Sequence, residues 1–200
     1  MGGGEKRRVS PRRLLISSAF DERAAMIKGR SIVLTPIIPG DFQALFRWAN
    51  DVEVARLNDT WRPVDWGAHQ EWWANIGKDR TKVIFAIRAE DAGVIIGYVQ
   101  VVDINPVHRS AVLGIRIGEE VNRGKGYGTE AIALMLAYCW DHLNLSRLAL
   151  TVFATNPRAV ELYERLGFAR EGLLRRAVFI DGKWTDVVLM AIHHSSRDTE

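Results

Sequence analysis

The chain has 200 residues, enough for one domain with a substantial core, or one domain and an arm. Apolar residues make up 48% and charged residues 26%, an ordinary globular balance that argues against a disordered chain. No apolar run reaches the roughly 18 residues of a membrane helix, and a single cysteine, Cys139, excludes an internal disulfide. Cys139 lies in the apolar run MLAYCW and reads as core filler rather than nucleophile. These features predict no membrane partner and a cytoplasmic location.

The net charge of +3 is unevenly spread. Residues 1–30 hold 8 Lys/Arg against 3 Asp/Glu, and the remainder 19 against 21. The basic excess therefore belongs to an N-terminal arm, residues 1–28, expected to be flexible or a start-site extension. Met26 would serve as a start for the folded part. Nucleic-acid association through that arm is a weak alternative, which a strongly salt-dependent affinity would have to support. A single domain is expected over residues 29–194, with a polar tail at 195–200.

In chain order, Ser31–Pro36 (SIVLTP) is a β-branched run and the first predicted strand. Asp41 is a predicted N-cap, followed by Phe42, Leu45, Phe46 and Ala49 at helical spacing. Asn50–Val64 reads as irregular. A second helix is expected from Trp66 to Ile76, capped by Asp65. The period then changes to that of strands. KVIFAIRAE, VIIGYVQVVDI and HRSAVLGIRIG are predicted to form an antiparallel set, turning at Ala92-Gly93 and Asn105-Pro106. A helix follows from Thr129 to about His142, then the strand LSRLALTVFAT and the helix NPRAVELYERLG. Two strands, about 168–178 and 183–192, close the chain around Asp181-Gly182. His193 and His194 have no ligand partners at metal spacing and read as solvated. The order predicts an α+β fold, a mixed and mostly antiparallel sheet with helices on both faces.

Between the third antiparallel strand and its helix lies NRGKGYGTEA, residues 122–131. The order of glycine and lysine is wrong for a P-loop. Gly126-Tyr127-Gly128-Thr129-Glu130-Ala131 fits G-x-G-x-x-A. That dinucleotide fingerprint, however, opens a βαβ unit with an acid about 20 residues on, and residues 146–152 (SRLALTV) offer none. The remaining reading is Arg-x-x-Gly-x-Gly, from Arg123, Gly126 and Gly128. Glycines permit positive φ and close ligand approach. Backbone amides and the positive helix end suit a pyrophosphate, with Arg123 and Lys125 adding charge. A plain glycine corner is the competing interpretation.

The second segment is Asn156-Pro-Arg-Ala-Val-Glu-Leu-Tyr163-Glu-Arg-Leu-Gly167-Phe168. Locally it is a punctuated helix, with Asn156 as N-cap, Pro157 at the first turn and Gly167 just past the end. Together, R-x-x-G-x-G, a helix, a strand and N-x-x-A-x-x-x-Y-x-x-x-G-F resemble the GNAT N-acetyltransferase superfamily over about residues 29–192. The resemblance is to the branch containing ribosomal-protein N-terminal, polyamine and amino-sugar-nucleotide acetyltransferases.

That resemblance implies acetyl-CoA as acetyl donor. It assigns the pyrophosphate to Arg123, Gly124, Lys125, Gly126, Tyr127, Gly128 and Thr129. It assigns the pantetheine arm to backbone groups of Ile115, Arg116 and Ile117, on a strand that splays from the next, with a further contact from Asn156. Tyr163 is implied as general acid to the leaving thiolate. The strand before the loop offers no carboxylate as base. A water chain is therefore expected, or an acid among Glu53, Asp59, Asp65 and Glu71, with His69 and His108 behind them.

Residues 48–73 hold five of the seven tryptophans. Trp61, Asp59, His69 and His108 are the candidate substrate contacts. The expected acceptor is the primary amine of a small molecule such as a polyamine, amino sugar or aminoglycoside-like compound. A protein N-terminus, as in a ribosomal protein, is the alternative, and a non-catalytic acyl-CoA sensor a third. A homodimer is expected by analogy alone.

Overall fold

The computed structural model describes residues 27–57, 61–89 and 93–194. Eight strands form one sheet in the order β1-β2-β3-β4-β5-β6-β8-β7. These are β1 (Ile27–Lys28), β2 (Ile32–Thr35), β3 (Val83–Ala89), β4 (Ile95–Asn105), β5 (Ser110–Ile117), β6 (Arg147–Phe153), β7 (Ala169–Ile180) and β8 (Lys183–His193). Five helices cover it: α1 (Phe42–Asn50), α2 (Val52–Ala55), α3 (Trp66–Asn75), α4 (Tyr127–Asp141) and α5 (Pro157–Arg165). The expected α+β architecture is the observed one.

Several local expectations shift. Ile27 and Lys28, assigned to the arm by sequence, pair with Leu34 and Val33, so the sheet begins before the first β-branched run. The stretch read as irregular contains α2. Asp51 caps it by accepting from Glu53 N at 2.9 Å and Val54 N at 3.2 Å. Four residues with two valines carry too weak a periodic signal to show this beforehand. Asp41 does not cap α1 with its side chain. Its Oδ2 accepts from Ile38 N at 2.9 Å and from Arg88 Nη2 at 2.7 Å. Asp65 and Asn156 cap α3 and α5 as expected, through Ala68 N and Ala159 N. Gly167 takes φ 94° past the end of α5, the left-handed conformation foreseen there.

Two apolar layers follow from strand alternation. On one face, Leu34, Ile87, Val99, Val101, Leu113 and Leu148 pack with the buried side of α4, where Ile132, Met135 and Cys139 are fully buried. On the other, Leu45, Trp48 and Trp73 of α1 and α3 cover Ala86 and Ile95. Each fully buried aliphatic side chain contributes about 1.5–3 kcal/mol. Trp48 lies flat against Gly118, where a Cβ would overlap its ring. Its Nε1 donates to Glu119 Oε1 at 3.1 Å. This fixes the chain just after β5, at the entry to the glycine loop.

Candidate active site

One relationship in the sheet creates the site. β5 and β6 are parallel neighbours, and they pair over Ser110–Val112 and Arg147–Ala149. On its other side, β5 stays paired with β4 as far as Ile117. Beyond Val112, β5 and β6 separate, leaving backbone polar groups of both strands turned toward a gap. A cavity of about 690 Å³ fills that gap. Ile115, Arg116 and Ile117 line it from β5, and Thr151, Val152 and Phe153 from β6.

The glycine loop closes one end. Gly124 and Gly126 hold φ of 77° and 87°, which side chains with a Cβ adopt only under strain. Gly126 is the N-cap residue of α4 and makes no side-chain cap. The amides of the first helical residues, Tyr127, Gly128 and Thr129, therefore have neither intrahelical acceptors nor a capping side chain. Gly124, Gly126, Gly128 and Thr129 line the cavity, as does Arg123. Arg123 Nη2 donates to Gly118 O at 2.8 Å, and its buried Nε makes no hydrogen bond. These donors fit a diphosphate. The positive charge exceeds the sequence expectation. Arg158 lines the same cavity, with Nη2 2.8 Å from the place a Cβ on Gly124 would occupy. Arg165 lines it as well. Both sit on α5, whose proximity to the loop is tertiary and has no local signal.

α5 forms the opposite wall with Asn156, Ala159, Leu162 and Tyr163. Asn156 Oδ1 is occupied by Ala159 N at 3.1 Å, so its side-chain NH₂ is the part left for a ligand. Tyr163 packs edge-on against Phe168, with ring centroids 5.7 Å apart. Burial pushes its pKa up to about 12, so the hydroxyl holds its proton at neutral pH. Cys139 is also pushed up to about 12 by burial, which leaves an unreactive thiol inside the core.

The four candidate substrate contacts are not gathered here. Asp59 lies outside the described residues. Trp61 is 39% exposed and lines neither this cavity nor the smaller one beside it. His108 sits in the β4–β5 turn, at the end of the sheet where β5 and β6 are still paired, with its N–H bonded to Asn105 Oδ1. His69 is buried between α1 and α3, its Nε2 at 3.1 Å from Phe42 O. Burial lowers its pKa, the carbonyl contact opposing. Among the base candidates, Asp65 is occupied as a cap, and Glu53 pairs with Arg56 at 2.5 Å. Neither they nor Glu71 line the cavity. Glu120 is the carboxylate that does, among the described residues, and it carried no sequence signal.

A smaller recess of about 290 Å³ shares Phe153 with the main cavity. Arg56, Thr155, Asp181, Lys183 and Thr185 line it, which joins the end of α2 to the tip of the β7–β8 hairpin. Arg56 Nε and Asp181 Oδ2 pair across it at 2.8 Å. Among the described residues, no cluster of three metal-ligating side chains exists, and no helix is long and apolar enough to cross a membrane.

The chain is similar to known acetyltransferases. A spermidine N(1)-acetyltransferase of Vibrio cholerae serotype O1 is 43% identical over 101 residues, 50% of this chain. The match spans 58% of that enzyme, so the chain spans little more than half the length of this curated relative. The [ribosomal protein uS5]-alanine N-acetyltransferase of Escherichia coli K12 is 29% identical over 142 residues, 66% of this chain and 73% of that one. The crystal structure of spermidine N-acetyltransferase from Vibrio cholerae in complex with CoA and spermine superposes with a TM-score of 0.78 at 30% identity, covering 82% of this chain and 96% of that one. A family model described as the acetyltransferase (GNAT) domain matches residues 31–169. The match of that family model to most of the described chain shows that the chain belongs to the GNAT acetyltransferases.

Proposed function

We propose that the chain is an N-acetyltransferase that moves an acetyl group from acetyl-CoA to the primary amine of a small molecule, by direct attack with both substrates bound. The observation that carries this reading is the gap between β5 and β6, with uncapped amides at one end and a protonated tyrosine in its wall. The amine attacks the thioester carbonyl of acetyl-CoA, the C–S bond breaks, and CoA leaves as a thiolate that takes its proton from water, while the acetylated nitrogen gives up its own proton to water. The loop from Arg123 to Thr129 holds its diphosphate, with Arg158 beside it. Free backbone groups of Ile115–Ile117 and the Asn156 amide orient the pantetheine arm. An unpaired N–H in the gap can also donate to the carbonyl oxygen as negative charge builds there.

Tyr163 is the proposed donor to the leaving sulfur. A free thiol titrates near 8.5, well below about 12 for Tyr163. Full proton transfer to a solvated thiolate would therefore run uphill. The buried hydroxyl serves instead as a hydrogen-bond donor to a leaving sulfur that is itself poorly solvated in the gap. Among the described residues, the sequence candidates Glu53, Asp65 and Glu71 do not line the cavity, which favours a water path for removing the amine's proton.

Similarity to the uS5-alanine enzyme over two thirds of the chain supports a second reading, a protein N-terminus as acceptor. Thiol release from acetyl-CoA, measured against polyamines, amino sugars, aminoglycosides, amino acids and peptides with free N-termini, tests both. Turnover on small amines supports the first reading, and turnover on peptides alone transfers the assignment to the second. Acetyl-CoA binding with no turnover on any of them would leave an acyl-CoA sensor.

A further inference from the structure

Side chains along β5 divide by face. Ile115 and Ile117 point to α4, with Ile115 Cδ1 3.8 Å and Ile117 Cγ1 3.9 Å from the place a Gly128 Cβ would occupy. Arg116 lies between them in sequence and points to the opposite face. It stands directly across from Tyr98 of β4, with Cζ 5.8 Å from the ring centroid, and Tyr98 in turn packs on Trp73 of α3. The diphosphate loop is thus on one face of the strand and the Arg116 guanidinium on the other, while Arg116 lines the cavity.

Arg116 is half-buried, its enclosed Nε makes no hydrogen bond, and no salt bridge to this side chain exists among the described residues. An enclosed N–H of a cation without an acceptor is costly. Along the cavity that it lines, Arg116, Arg123, Arg158 and Arg165 stand against one carboxylate among the described residues, Glu120. That excess of positive charge opposes a polycation and favours an anion.

We propose that the acceptor carries a carboxylate or phosphate close to its reactive amine, and that Arg116 receives that group. The inference rests on the acetyltransferase reading and narrows its acceptor. A guanidinium matches either anion through paired N–H donors. Tyr98, itself packed on Trp73, lies under the guanidinium.

The test uses amines that differ in one group. An α-amino acid is compared with its carboxamide, an amino-sugar phosphate with the free amino sugar, and spermidine stands as the polycation. Thiol release gives kcat/KM for each. The anionic member of at least one pair should exceed its neutral partner by about tenfold to a hundredfold. Which pair responds distinguishes carboxylate from phosphate. Arg116→Gln should collapse that ratio toward one through KM, and Arg116→Lys should recover part of it. Acetyl-CoA binding by each variant checks that it is folded. Preference for spermidine or for the neutral partners overturns the inference while leaving the acetyltransferase reading intact, as does an anion preference that survives Arg116→Gln. Thiol release with none of these amines, nor with peptides bearing free N-termini, sinks the acetyltransferase reading and this inference with it.

Discussion

Val112 of β5 and Ala149 of β6 are the last residues at which these two parallel strands pair, and every other feature of the site is arranged around the gap that opens after them. Ahead of that point the strands satisfy one another. Behind it, β5 keeps only its β4 partner, and β6 continues to Phe153 paired with β8. A backbone edge of this kind inside a sheet is costly unless a ligand occupies it.

The loop at the end of the gap depends on backbone conformation more than on space. Nothing lies within 4 Å of a Cβ built on Gly126, yet its φ is 87°. Gly126→Ala therefore introduces no clash, only left-handed strain of about 1–2 kcal/mol. Relief of that strain turns the α4 amides away from the ligand. Acetyl-CoA affinity, measured by calorimetry, should fall about tenfold, with the fold retained. At Gly124 a Cβ would also meet Arg158. Gly124→Ala should therefore weaken binding more than Gly126→Ala does, and equal effects would count against a role for Arg158.

Tyr163→Phe keeps the ring contact with Phe168 and removes the hydroxyl. Turnover should drop about a hundredfold or more, while KM for acetyl-CoA stays within about twofold. Because burial raises the tyrosine to about 12, its donor form persists through the neutral and mildly alkaline range. A pH–rate profile of the wild type should show no falling limb from this group below about pH 11. The raised value also makes a stability statement. The contribution is fully present below the unfolded value near 10 and is lost as pH rises through about 12, since the unfolded chain ionises first. Unchanged turnover in the phenylalanine variant would falsify the assignment of Tyr163 as donor.

His69 should respond to acid. Its folded pKa is lowered by burial, so the neutral ring is the form the fold accepts. Stability linked to it is complete above the unfolded value of about 6.5 and is lost as pH falls through the lower folded value. The melting temperature of the wild type should decline from about pH 7 toward about pH 5. A His69→Asn variant should start lower and decline less. Parallel curves for the two proteins would show that the acid sensitivity lies elsewhere.

The buried pair Arg88–Asp41 ties β3 to the turn that starts α1, with side chains 9% and 5% exposed. Arg88 Nε also donates to Thr35 Oγ1 at 2.9 Å. Asp41→Ala would leave a buried guanidinium without its carboxylate and Ile38 N without its acceptor. Urea unfolding should record a loss of about 3–5 kcal/mol. Asp41→Ala combined with Arg88→Met should lose less than the single change. A double variant worse than Asp41→Ala would refute the ion-pair account.

The two site segments are legible one residue at a time because their demands are local. Gly124 and Gly126 are needed for positive φ, Asn156 for a cap, and Gly167 for a left-handed helix end, and each is satisfied within a few residues of itself. Alternation and helical spacing likewise show most strand and helix boundaries to within two or three residues, as in α4, which begins at Tyr127 rather than Thr129. Asp41 holds the N-cap position of α1 without capping it through its side chain, for the converse reason. Its N-cap signature is local, but its side chain is claimed by Arg88 from a strand 47 residues away.

What lies beyond local reach is the assembly of distant chain segments. Nothing near Arg158 or Glu120 marks either as a cavity residue, and His69 looks available until packing encloses it between α1 and α3. Chain order and side-chain period were enough to give an α+β domain with a glycine loop and a capped helix after it, since both follow from backbone geometry along the chain. Only the tertiary structure decided where β5 and β6 part, which cations face the gap and which histidines are shut away from it. Those outcomes depend on pairing and burial between residues far apart in sequence, where the energy of one contact is set by everything packed around it.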